Sequence, residues 1–212
     1  MGKPAATDRR SLKSLSHSFT LDLVVGFQHR TDAERFQSEF RERLAKFGLE
    51  LHPDKTRLIE FGRFAARNRK QRGEEKPETF TFLGFTHFCG QRISDKAFIV
   101  WRITAKKRMV AKLKAIKAEL QRRKHHRTAE VGAWLRKVVL GYYQYHAVPG
   151  NTTQLRIFQR RVNWLWRSVL IRRSQRAQVR WERLTPLLTR WIPQPRVLHP
   201  YPDARFDATH PS

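Results

Sequence analysis

The chain has 212 residues, 40% of them apolar, enough to bury the core of one or two domains. Its 44 lysines and arginines stand against 18 acids, and the resulting formal charge of +26 points to a polyanionic partner. Nucleic acid comes first, because each Lys or Arg set on a phosphate releases a condensed counterion. The single cysteine, Cys89, excludes a disulfide framework or a thiolate zinc cluster within one chain, and no apolar run approaches the roughly 20 residues of a membrane span.

Residues 1–17 show no period and no apolar stretch of a secretory signal, so they read as a disordered leader on a cytoplasmic protein. SFTLDLVVGF, residues 18–27, reads as a buried strand built on Leu23, Val24, Val25 and Phe27. Asp22 at its head is a metal ligand, a cap for the next element, or a residue without a role. After a turn over 26–30, TDAE reads as a capping box in which Thr31 accepts from the helix and Glu34 reaches back. Ala33, Phe36, Phe40, Leu44 and Phe47 then recur at helical spacing as a stripe toward a sheet, and Gly48 supplies the stop. LELHPDKTRLIEFG predicts a short strand, a turn at Pro53 and Asp54, and a second strand over 57–61. The order so far is β-α-β-β. Residues 63–79 read as a polar, basic loop, FTFLGFTHF (80–88) as a further strand, and Gly90 with QRISDKAFIVWRI as a hairpin.

At about Thr104 the β-formers give way to helix-formers. A helix over 104–124 places Met109, Leu113, Ile116 and Leu120 on one face and Lys107, Lys114 and Arg122 away from it. A second, over 129–146, packs Val131, Leu135, Val138, Tyr142 and Tyr145. PGNTT breaks the chain at 149–153, and a third helix, to Arg173, presents Leu155, Phe158, Val162, Leu165 and Val169. A weaker fourth, over 178–191, gives way to an extended, proline-rich tail over 192–212. The expectation is an α+β chain ending in a small helical bundle. On the third helix Arg156, Arg160 and Arg167 share an arc with Trp164, a combination suited to RNA: guanidinium groups hold phosphates while an indole stacks on an unpaired base. Trp134 and Tyr143 read as packing residues, and His87, Cys89, His125 and His126 lack metal-ligand spacing.

The LVVGF strand end, LAKFGLELHPDKTRLIEFGRFAA, the polar loop, FTFLGFTH and GYYQYHAVPGN follow one another in an order that resembles the C-terminal part of bacterial group II intron reverse transcriptase/maturases, over residues 19–206. The resemblance implies a truncated polymerase palm over 18–103, β-α-β-β plus hairpin, and a helical thumb with the maturase-specific domain X over 104–191. Lys55 would match a lysine near the incoming nucleotide, and Leu83, Gly84 and Phe85 the primer-gripping turn, where Gly84 permits close backbone approach. A tight hairpin needing a small residue accounts for Gly84 equally.

Relatives carry Tyr-Ala-Asp-Asp before this strand, whereas Phe19, Thr20, Leu21 and Asp22 occupy that register here. A two-metal nucleotidyl transferase needs several carboxylates around its Mg²⁺ ions, and leucine cannot supply one. Asp22 is then a relic, the catalytic set is not intact, and the chain alone carries no cofactor. The resemblance implies an RNA-binding maturase-type fragment that stabilises folded intron RNA for splicing. DNA or an RNA–DNA duplex is a further ligand class, and a trans partner could supply the N-terminal polymerase part. An RNA-directed DNA polymerase completed by such a part, and the product of a decayed mobile element, are the alternative readings.

Overall fold

A computed structural model describes residues 22–173 and 181–201. These form six helices and one three-stranded antiparallel sheet, so the chain is of mixed α+β class. The elements run α1 (Arg30–Ala45), α2 (Ala65–Gln71), β1 (Phe80–Phe82), β2 (Phe85–Gln91), β3 (Phe98–Thr104), α3 (Lys106–Arg122), α4 (Thr128–His146), α5 (Thr152–Arg172) and α6 (Trp181–Trp191). The leader and residues 202–212 of the tail lie outside the described residues.

The core belongs to the bundle. Leu135, Val139, Leu155, Phe158, Val162 and Trp166 are fully enclosed, with Ile116 and Leu120 of α3 packed onto them. Burying each such side chain contributes about 1.5–3 kcal/mol. Tyr142 stacks on Phe158 at 3.7 Å between ring centroids, and Tyr143 reaches the other side of the bundle to donate to the Pro193 carbonyl. Burial raises both phenols, Tyr142 to about 12. The helical spacing read from the sequence selects this face, with Leu113, Val138 and Leu165 partly buried at its margin and Tyr145 as the exception, about half exposed. Gly132 lets α6 approach closely, since a Cβ there would stand 2.5 Å from Cγ of Trp191. The chain beyond α6 is extended and tied down: Ile192 is buried, and the Leu198 amide donates to the Ala147 carbonyl at 2.9 Å.

The sheet is a meander, β1-β2-β3. Residues 80–88 do not make one strand, because Leu83 (φ 46°) and Gly84 (φ 79°) form a two-residue turn between β1 and β2. Positive φ at both positions is the type I′ hairpin, whose twist matches that of the flanking strands. Gly90 sits inside β2 rather than at a turn. A Cβ on it would come within 2.5 Å of Trp101, which is flanked on its other side by Gly150, so two glycines seat this indole between sheet and bundle. The hairpin turn lies instead over 92–97, closed by Arg92 N–H donating to the Ala97 carbonyl.

Residues 22–64 depart most from expectation. The described part of the predicted strand, 22–27, pairs with no strand among the described residues and leaves Leu23, Val24, Val25 and Phe27 exposed; residues 18–21 lie outside the described residues. Residues 49–61 are likewise without strand, apart from a turn at 53–55. A strand exists only through a neighbour's hydrogen bonds, which local β-propensity does not provide. α1 does form, and Gly48 (φ 67°) closes it with Leu49 N–H on the Leu44 carbonyl. Of its stripe only Ala33 is buried, Phe36 stacks on Phe40 and meets Phe27 at a tilt, and Phe47 is exposed. The capping box is not made: the helix starts at Arg30, and Glu34 pairs with the Arg30 guanidinium at 2.7 Å. The basic loop contains α2, where Arg72 holds the carboxylates of Glu60 and Glu74 and keeps both below the usual carboxylate range.

Candidate nucleic-acid interface

Charge is partitioned along the fold. Residues 22–61 carry seven Lys and Arg against eight acids, whereas residues 104–201 carry 23 against three. Two of those three acids are already engaged within the bundle. Glu119 holds Arg123 at 2.7 Å and Arg122 at 3.6 Å, and Glu130 lies 3.5 Å from His126. Arg122 apart, the exposed cations of α3 and α5 pair with no carboxylate among the described residues, and an external polyanion would relieve their mutual repulsion. α3 adds to this with Lys106, Lys107 and Arg108 in its first turn and no acid there, which opposes the helix dipole.

On α5, Arg156, Arg160 and Trp164 follow one another at steps of four residues and all are exposed, Trp164 by 57%. The buried side of the same helix is formed by Leu155, Phe158, Val162, Trp166 and Val169, so the arginines and the indole occupy its solvent face. Arg167 belongs to the same arc but is half-buried. Lys107 and Lys114 lie exposed on the outer side of α3, two turns apart, and make no ion pair among the described residues; Arg122 is also exposed. Such a surface can hold phosphates by charge and present one planar ring to a base.

The hairpin tip is fixed to the bundle rather than free. Tyr145 donates its hydroxyl to the Leu83 carbonyl at 2.6 Å, and the Ala105 amide donates to the Gly84 carbonyl at 2.9 Å. Phe85 stacks on Tyr145, with centroids 5.6 Å apart, and meets His146 edge-on. Leu83 projects exposed from the tip. Gly84 faces both Tyr145 and Arg108, each just under 4 Å from where its Cβ would stand. Tyr145 and Arg108 were not predicted as site residues; the aromatic spacing of GYYQYH reads as packing, and only the hairpin's position shows otherwise.

Behind the tip lies a buried polar junction. Asn151, between α4 and α5, accepts from the Thr104 amide at 2.9 Å and donates to the Thr104 hydroxyl at 2.8 Å and the His146 carbonyl at 2.7 Å. His146 stands 3.5 Å from the same hydroxyl, and burial pushes its imidazole down to about 4. It is neutral at physiological pH, a joint rather than a phosphate ligand.

Asp22 and Lys55 do not join these groups. Asp22 is exposed at the start of the described residues, and Lys55 is exposed in the 53–55 turn. No three His, Cys, Asp or Glu side chains converge among the described residues, and those present do not fit a two-metal centre. No described helix is long and apolar enough to cross a membrane. No family model matches the chain, and no curated protein or solved structure matches it either.

Proposed function

We propose that this chain is an RNA-binding protein that grips folded RNA through its helical bundle, in the manner that its resemblance to group II intron maturases implies. The truncated-palm assignment of residues 18–103 and the thumb and domain X assignment of residues 104–191 belong to this reading. So does the ligand, a structured intron RNA that supplies its own splicing chemistry while the protein stabilises the fold. A protein without a metal-binding carboxylate set can act in this way, because holding helices together needs cations and stacking surfaces rather than a reactive centre.

The observation that supports the reading best is the concentration of 23 Lys and Arg against three acids in residues 104–201. The test is binding to a structured RNA over a range of salt. Affinity should fall linearly on a log–log plot by about 0.7–0.9 per phosphate neutralised. Replacing Arg156 and Arg160 together by alanine should flatten that slope by about 1.4–1.8. A slope near zero in the unaltered protein would refute the reading.

A further inference from the structure

Consecutive helices α3 and α4 leave a groove between them. A cavity of about 390 Å³ there is lined by Lys112, Ala115 and Arg122 from α3 and by Trp134 and Val138 from α4. At one end the Arg123 guanidinium lies over the Trp134 ring, 5.1 Å from its centroid, and Glu119 holds Arg123 in place. At the other end Arg108 and Tyr145 come together beneath the hairpin tip at Gly84. The two helices therefore run antiparallel. Arg108, Lys112, Ala115 and Arg122 recur along α3 at helical steps, and Trp134, Val138, Gly141 and Tyr145 along α4. From Arg108 to Arg122 this side of α3 extends about 21 Å at 1.5 Å per residue.

The chemistry along that length is ordered. Small side chains, Ala115 and Gly141, keep the track open: a Cβ on Gly141 would meet nothing within 4 Å. An aromatic ring stands toward each end, Trp134 half-buried and Tyr145 half-exposed. Tyr145 is backed by Phe85 and pinned by its hydroxyl, so its ring is held ready at no further entropic cost. Cations line the α3 side, and the one carboxylate there, Glu119, is occupied by arginines. A double helix offers its bases edge-on and stacked, out of reach of two separated rings; an unpaired strand offers base faces at intervals along a charged backbone.

We propose that the α3–α4 groove is a track for an unpaired stretch of RNA, with bases on Trp134 and Tyr145 and phosphates on Arg108, Lys112 and Arg122. It rests on the nucleic-acid-binding reading above and adds to it a single-stranded site separate from the arginine face of α5. The test compares two fluorescent probes, an unstructured oligouridylate and a blunt RNA duplex, on the full chain. Trp134→Ala should weaken oligouridylate binding about 5- to 150-fold, as the loss of one stacked base does, and leave duplex binding within about twofold. Gly141→Leu fills the track with a side chain that the helix accommodates, and should reproduce the loss in a protein whose circular dichroism and melting are intact. Unchanged oligouridylate binding in both variants, or an equal loss on both probes, would overturn the track. Absence of salt-sensitive binding of either probe by the unaltered chain would instead overturn the nucleic-acid reading itself.

Discussion

Asn151→Ala is the sharpest test of how this fold holds its hairpin against its bundle. The side chain is fully buried and makes three hydrogen bonds, one accepted from the Thr104 amide and two donated, to the Thr104 hydroxyl and the His146 carbonyl. Alanine leaves the Thr104 N–H without its partner in the interior, while the His146 carbonyl keeps its bond from the Val148 amide at 2.9 Å. An orphaned buried N–H costs about 1–3 kcal/mol, and the variant should lose about that much. For a chain of this size that is a drop of about 2–12 °C in melting temperature. Urea unfolding followed by tryptophan fluorescence measures the loss as a lower midpoint at unchanged slope. A double-mutant cycle with Thr104→Ala should return a coupling of about 0.5–3 kcal/mol. A loss below about 0.5 kcal/mol, or zero coupling, would mean that the junction does not fasten β3 to the bundle.

The imidazole in that junction predicts a pH dependence. His146 titrates at about 4 when folded, against an unfolded value near 6.5, so the unfolded chain alone takes up a proton between these limits. Stability present above pH 6.5 should decline as the pH falls toward 4, by on the order of 3 kcal/mol, and His146→Gln should remove that part of the decline; identical pH profiles would refute the account. Gly132→Ala drives a methyl into the Trp191 ring, 2.5 Å away, and should cost about 1–3 kcal/mol with α6 losing hydrogen-exchange protection first. Leu83→Asn replaces a leucine held at φ 46° by the residue that type I′ turns prefer before glycine, and should stabilise the chain by about 1 kcal/mol in a thermal melt. An unchanged or lower midpoint would show that the Leu83 side chain contributes more than its backbone strain removes.

The helices of the bundle were legible because their signal is local. Met109, Ile116 and Leu120, or Leu155, Phe158 and Val162, announce a buried face by spacing alone, and α3, α4 and α5 begin and end within about two residues of expectation. The exposed arginines and Trp164 of α5 were legible for the same reason, as the complement of that face. What was not legible depends on partners. The β-formers at 23–27 and 57–61 have the composition of strands and no neighbours to pair with among the described residues. Thr31 and Glu34 have the spacing of a capping box, but an arginine one turn back captures the carboxylate first. Leu83–Gly84 turns the chain in the middle of a run that reads as one strand, since leucine is a poor advertisement for positive φ. Tyr145 is the instructive omission. Its place in the helical stripe suggests core, and only a hydrogen bond to a carbonyl 62 residues earlier turns it into a presented ring.

The uneven spread of charge, nearly balanced over residues 22–61 and overwhelmingly positive over 104–201, has a kinetic consequence. A body charged at one end is an electric dipole, and in the field of a polyanion it experiences a torque as well as an attraction. Rotation aligns it before the surfaces touch, so that encounters start with the helical end leading and fewer collisions are wasted on wrong orientations. Association should quicken in dilute salt by more than the net charge alone explains.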